Sequence, residues 1–382
     1  MSITKFKISE SNSTNVNIIR FLSIQIIAIS HGLENIGAIG LSNIYGVSAF
    51  DLLILISGML IAYSVFNNMQ NERFEFKRYL VSRFSRIYIP VILTYTIMVI
   101  VDWINGYNLL HHFTTFVINI ALLNDSALNY PYYGFNRHLW AMPFFWWQYL
   151  FFGWLLLGTR TTNKKYVYYL VLAFLAFIMG LILFGERMTM KSYYMIIWYM
   201  GAIFTFLLVK LKKYIEQKST LKGEINPQIE RKLIKRIKII SIIMALLFFT
   251  FAILRSTTFK QYHDTYDLIY NVSLALSVVF FFTFMQYSRF KYPKSIKKAI
   301  NFLSSYSLTM FLFHMYFYNL VLRGSVDVVF FIFVHIIANL ISIGIASFSE
   351  MKYTKIRRYL LKKFNLLDNP PKNDVKPIKS EP

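Results

Sequence analysis

Asn17-Ile-Ile-Arg20-Phe-Leu-Ser-Ile-Gln-Ile-Ile-Ala-Ile-Ser-His31-Gly32 is apolar enough to enter a bilayer, yet it carries a cation and an imidazole. Eleven residues at about 100° each return the second side chain to within about 20° of the first, roughly 16 Å further along the axis. Arg20 and His31 therefore share one stripe of one helix. An ionisable group at membrane depth costs several kcal/mol unless it meets a partner, a cavity or water, so two on one stripe point to an internal site.

The rest of the chain agrees with a membrane setting. Of 382 residues, 56% are hydrophobic and only 15% charged, and the mean hydropathy is +0.46, outside the range of soluble globular chains. The expected fold is an all-α polytopic helical bundle. Segments able to cross about 30 Å of hydrocarbon fall at 17–36, 45–66, 87–104, 138–158, 166–185, 192–209, 236–254, 266–287, 301–322 and 326–348, about ten in all. A further apolar piece, 113–123, is too short to cross and is expected to be re-entrant or interfacial. The expected organisation is a tail over 1–16, a membrane domain over 17–350 and a basic, largely disordered tail over 351–382.

The net charge of +23 sorts by side of the membrane and does not call for nucleic acid. Lys5 and Lys7, then Lys77 to Arg86, Arg160 to Lys165, Lys210 to Lys238, Arg289 to Lys298 and Lys352 to Lys363 occupy alternate connections and both ends. By the positive-inside rule both termini are expected to be cytoplasmic, which agrees with an even number of spans, and the protein is expected in the cell membrane. Membrane lipids, anionic ones included, are expected partners. The 210–235 connection, interrupted at Asn226-Pro227, is expected to lie on lipid as a short amphipathic helix. Cysteine is absent, which excludes disulfides, thiolate-bound zinc and a cysteinyl acyl intermediate. No small-residue cleavage site follows the first span, so it reads as a retained anchor.

Three groups of residues could carry chemistry. His31 has a carboxylate three residues on, Glu34, on the same helical face; such a carboxylate orients a histidine general base and stabilises its imidazolium. The alternative is that His31 anchors the outer end of the helix. Asp51, in Phe50-Asp-Leu-Leu-Ile-Leu-Ile-Ser57-Gly58, is a second candidate, brought close to His31 by a short connection. Arg83 and Arg86 precede the third span, where guanidinium forks suit phosphate and equally suit headgroup anchoring. The outer connection, 105–137, is rich in Tyr, Asn and His, which suits sugar binding or an aromatic interfacial belt. His111-His112 lack a carboxylate at ligand spacing, and no metal site is expected.

Taken in order, these segments resemble the acyltransferase type 3 family of integral membrane acyltransferases across most of 17–358. Arg20 and His31 are similar to its Arg-x10-His pattern, and Phe50-Asp51 with Ser57-Gly58 to its Val-Asp-Leu-Phe-Phe-x-x-Ser-Gly segment. Arg83-Phe-Ser-Arg86-Ile-Tyr-Ile-Pro90 resembles its Arg-Ile-x-Pro motif, His138-Leu-Trp140 its His-Leu-Trp element, and Tyr306-Ser-Leu-Thr-Met-Phe-Leu-Phe-His314 its Tyr-Ser-Leu-x-Ile-Tyr-Leu-x-His helix. Glu350 matches the glutamate ending the last span. One departure stands out. Where the family has a glutamate pair after His-Leu-Trp, this chain has Phe145 and Trp146.

The resemblance implies acyl transfer, acetyl first, from cytosolic acyl-CoA to a hydroxyl of a cell-surface saccharide. The donor is a co-substrate and no permanently bound cofactor is implied. His31, with Glu34 or Asp51, would be catalytic. Arg20, Arg83 and Arg86 would hold the donor, and His138, Trp140 and His314 would serve the acceptor or support the site. The rival expectation is an exporter of saccharide or lipid-linked precursors whose path is lined by Arg20 and His31. A catalytically inactive membrane scaffold is the third.

Overall fold

A computed structural model describes residues 7–37, 42–69, 74–106, 109–130, 132–133, 137–184, 188–221, 224–258, 268–288, 290–322 and 327–366. The described chain is almost wholly α-helical. In order come α1 (Glu10–Asn35), α2 (Ser42–Asn68), α3 (Phe76–Ile104), α4 (Leu109–Ile120), α5 (Ala141–Thr161), α6 (Lys165–Leu183) and α7 (Met188–Ser219). They are followed by α8 (Pro227–Thr258), α9 (Leu268–Gln286), α10 (Lys294–Ser304), α11 (Ser307–Val321), α12 (Val328–Phe348) and α13 (Tyr353–Lys363). Among the described residues, eight helical segments are long and apolar enough to cross a membrane. The protein is a multi-pass membrane protein.

Those eight coincide with eight of the ten expected spans. The other two segments are helical but differ in kind. Segment 138–158 is a 3-10 turn, Arg137–Trp140, followed by α5, whose Trp, Tyr and Gln lower its hydropathy although half its length is buried. Segment 301–322 is broken at Ser305-Tyr306 into the end of α10 and the 15-residue α11. At 1.5 Å per residue α11 spans only about 22 Å, and two thirds of its residues are buried within the protein. Helix α4 covers most of 113–123 in a 12-residue helix, about 18 Å long and too short to cross.

Local chemistry explains several boundaries. The Ser9 hydroxyl caps α1 by accepting from the Asn12 N–H at 3.2 Å. Asn12 in turn donates to the Phe282 carbonyl at 2.8 Å, fastening the start of α1 to the end of α9. Helix α3 starts at Phe76, so Arg83 and Arg86 ride on the helix instead of lying in the connection before it. The 210–235 connection is not an amphipathic surface helix. Helix α7 runs on to Ser219, the chain reverses through the pairs Thr220↔Ile225 and Leu221↔Glu224, and α8 begins at once. Asn226 caps it with its side-chain oxygen, 3.0 Å from the Gln228 N–H, and Pro227 fills the first helical position, where a missing N–H costs nothing. The basic residues extend the two spanning helices, with Lys212 and Glu216 paired at 3.6 Å on one face.

The 105–137 connection is folded inward in part. Asn124, Asp125 and Ser126 are buried, and Lys191, fully buried at the start of α7, ion-pairs with Asp125 at 2.9 Å and donates to the Ile182 carbonyl at 2.7 Å. These three residues are therefore not an exposed saccharide surface. The side chains of His111 and His112, like residues 367–382, lie outside the described residues.

Helices α2 and α7 approach to backbone contact. A Cβ on Gly58 would stand 2.0 Å from the Trp198 carbonyl oxygen, and one on Gly201 would stand 2.1 Å from that of Leu55. Backbone meets backbone at both positions, the small-residue packing that membrane helices use in place of a hydrophobic driving force. Gly58→Val should therefore separate the two helices and cost about 3 kcal/mol or more, since overpacking against backbone cannot relax. Gly180→Ala, whose methyl would meet no side chain or neighbouring helix within 4 Å, should hold or slightly raise the thermal stability of the detergent-solubilised protein.

Candidate active site

Arginine inside a spanning helix needs a counter-charge, and Arg20 of α1 finds one beyond the last span. Its guanidinium lies 3.7 Å from the Glu350 carboxylate. That carboxylate also accepts from the Leu308 N–H at 3.2 Å, the Thr309 N–H at 3.0 Å and the Thr309 hydroxyl at 3.1 Å. Glu350 therefore caps the exposed donors of the first turn of α11 while neutralising Arg20, and its charge also suits the positive end of that helix dipole.

The three arginines read as a donor set converge. Arg20, Arg83 and Arg86 line one cavity of about 150 Å³ between α1, α2, α3, α5 and α11. Arg83 is buried, donates to the Ser64 hydroxyl at 2.7 Å and lies over the Tyr79 ring at 5.2 Å. Arg86 lies over the Tyr353 ring at 5.5 Å, which ties α3 to α13. Ser57 and Tyr149, hydrogen-bonded to each other, supply polar wall, and the Trp198 indole donates to Ser57 at 3.2 Å. The Ser307 hydroxyl also lines the cavity and is buried without a hydrogen-bond partner. Phe145, in place of one of the family's two glutamates, gives this cavity an apolar wall where the family pattern has an acid.

Phe311 connects this cavity to the histidines. It lines the cavity, and its ring centroid is 6.2 Å from that of His314. His314 stacks on His31, with centroids 5.5 Å apart and planes 13° from parallel. His31 Nδ1 is 3.6 Å from the Glu34 carboxylate. His314 is fully buried, and its Nδ1 lies 2.9 Å from the Met310 carbonyl. A carbonyl can only accept, so Nδ1 carries the hydrogen and Nε2 presents a lone pair. No hydrogen-bond partner meets that Nε2.

The other expected site residues are distributed differently. Asp51 is buried, and its carboxyl lies beside the Tyr193 hydroxyl of α7, which neighbours Asn271 of α9. Its adjacent residue Phe50 faces the cavity instead, within an aromatic cluster that includes Trp140 at 5.4 Å, Tyr194 at 4.9 Å and Phe311 at 6.3 Å. Trp140 is thus a packing element beside the cavity. The side chain of His138 lies outside the described residues.

A polar network that no sequence motif marked runs behind His314. Tyr318 sets its ring edge against His314 at 5.7 Å, and its hydroxyl meets His335 Nδ1 at 2.6 Å. His335 Nε2 meets the Gln25 side-chain oxygen at 3.0 Å, and the Gln25 amide donates to Asn339 at 2.9 Å. Tyr306 closes the network on Asn339 at 3.2 Å. The available signal was positional: His335 and Asn339 stand four apart in α12, among the most apolar helices of the chain.

The fold and this cavity define a multi-pass membrane protein with a polycationic internal site separated by one phenylalanine ring from a pair of stacked imidazoles. The sequence model of the acyltransferase domain family matches residues 13–348. The chain belongs to that family, the type 3 membrane-embedded acyltransferases. No curated protein and no solved structure matches it.

The Arg20–Glu350 contact lends itself to a double-mutant cycle. Glu350→Ala leaves a largely buried guanidinium and two helix donors unpartnered and should cost about 2–4 kcal/mol of stability. Glu350→Gln, which keeps an acceptor for α11, should cost less. Thermal unfolding of Arg20→Met, Glu350→Gln and the double variant should return a coupling energy above about 1 kcal/mol.

Proposed function

We propose that the protein transfers an acyl group, acetyl in the first instance, from cytosolic acyl-CoA to a hydroxyl of a cell-surface saccharide. The observation that carries this reading is the convergence of Arg20, Arg83 and Arg86 on one cavity whose wall residue Phe311 is in ring contact with His314, which stacks on His31. Three guanidinium groups in a partly apolar chamber suit the phosphates of a nucleotide-like carrier and leave apolar wall for its arm. In this reading ten segments cross the membrane and both termini are cytoplasmic, with α5 and the α10–α11 pair joining the eight more apolar helices. The arginine end then faces the donor compartment and His31 the acceptor.

His31 takes the proton of the acceptor hydroxyl as that oxygen attacks the thioester carbonyl, and the carbon–sulfur bond breaks to release the CoA thiolate, which takes up a proton. Glu34 is the carboxylate we assign to His31, since it faces Nδ1 at 3.6 Å. Asp51, beside Tyr193, is assigned a structural role in joining α2 to α7. The Nε2 of His314, bare and buried, supplies an acceptor for the incoming hydroxyl.

NMR of surface polymer from cells carrying the wild type, His31→Ala or no copy tests the reading. Ester content should fall with His31→Ala to the level of cells without a copy, because a general base contributes about 10²–10⁴-fold. Equal ester content in all three would sink it. A second reading, precursor export, is favoured by one observation, the apolar Phe145 where an acid is expected. Export predicts less total polymer with normal esterification per sugar. Arg83→Ala combined with Arg86→Ala should raise the acyl-CoA concentration needed for half-maximal rate by about 10-fold or more while leaving membrane insertion intact.

A further inference from the structure

A second cavity lies well away from the arginine chamber, between the first turns of α8 and the last turn of α9. Its volume is about 550 Å³, within the range of about 300–1,000 Å³ typical of ligand sites. One end is cationic: Arg231, Lys235 and Lys238 stand at i, i+4 and i+7 and project from one face of α8. The other end is apolar, walled by Ile239, Ile242 and Phe284. Lys238 is the last charge before an uncharged run, 239–254, so the cationic end sits at headgroup depth and the apolar end at acyl-chain depth.

Two further observations point to an occupant. Tyr287 lines this cavity, and its hydroxyl is buried with no hydrogen-bond partner, a state that costs about 1–3 kcal/mol unless a ligand or water relieves it. Among the described residues none of the three cations has an acidic partner, although Lys238 leans over the Phe284 ring at 5.8 Å. The acid nearest Tyr287, Glu216 of α7, is itself paired with Lys212. Positive-inside topology and the negative end of the α9 dipole account for cations at this depth, but not for a chamber or an orphaned hydroxyl between them.

We propose that this cavity binds one anionic phospholipid, its phosphate against Arg231, Lys235 and the Tyr287 hydroxyl and an acyl chain along Ile239, Ile242 and Phe284. The occupant follows from the make-up of the wall: cations and a hydroxyl donor toward one end and apolar side chains toward the other, matching the polar and apolar parts of an acidic lipid. A free phosphate would leave the apolar half empty, and an uncharged lipid would leave the cations unanswered. The site is independent of the acyl-transfer reading.

Native mass spectrometry of the purified full chain with added phosphatidylglycerol or phosphatidylcholine tests this. The wild type should retain one phosphatidylglycerol in preference to phosphatidylcholine. Changing Arg231, Lys235 and Lys238 together to Gln should weaken that retention by about 10-fold or more and leave phosphatidylcholine unaffected. Ile242→Trp, which fills the apolar half and keeps every charge, should weaken it as well. Changing Lys355, Arg358 and Lys362 of α13 together to Gln removes as many charges from another basic face and should do nothing. Equal loss from both triple variants would mean diffuse attraction to charge and would overturn the proposal. So would retention unchanged by either cavity variant, or displacement of the lipid by an equal concentration of inorganic phosphate.

Discussion

Arg20 cannot stand alone at the depth where the first spanning helix holds it, and the organisation of the site follows from how that charge is met. Its partner, Glu350, is engaged on three sides at once, by the guanidinium, by two N–H groups of α11 and by the Thr309 hydroxyl. One carboxylate thus joins the first helix, the segment after the last span and the start of a short internal helix. Fixing the start of α11 in turn fixes everything it carries. Ser307 and Phe311 reach the cavity from it, and His314 reaches His31 one turn further on. A lost cap would therefore move the histidine pair as well as the arginine.

The remaining walls are built by different forces. Reciprocal glycine contacts bring α2 and α7 to backbone distance, which places Ser57 under the Trp198 indole. Aromatic edges fill the space between: Phe50 lies within ring contact of Trp140, Phe145, Tyr194 and Phe311. Such contacts add about 0.5–1.5 kcal/mol each beyond area, and they are stiff, with two χ angles per ring. The chamber therefore has rigid aromatic walls on one side and long guanidinium arms on the other, a division suited to a fixed reaction geometry with an adjustable anion clamp.

Much of this was legible from spacing alone. Arg20 and His31 lie eleven apart, a whole number of turns, and the structure places both inward, one at the cavity and one at the histidine stack. The Asn226-Pro227 break was readable because both residues have helix-start chemistry. The helices on either side were not, because basic residues on a spanning helix and on a surface helix share the same i, i+4 spacing. Helix α11 was misjudged in length since hydropathy cannot tell a segment enclosed by protein from one enclosed by lipid. The partner of Asp51 and the Gln25–His335–Asn339 network were hidden for another reason. Their members come from helices distant in the chain, and long-range pairing leaves no trace in the periodicity of either helix.

The distance in sequence between Arg20 and Glu350 also sets an order of events during synthesis. The acid emerges 330 residues after the cation, roughly 15 s to 1 min later at about 5–20 residues per second. Through that interval the first helix has no Glu350 and no α11 to receive its guanidinium, which must stay near water or headgroups. The helix can settle to its final depth only when the C-terminal segment arrives. The Arg20–Glu350 pair, and with it the cap on α11, is therefore among the last contacts a growing chain can make.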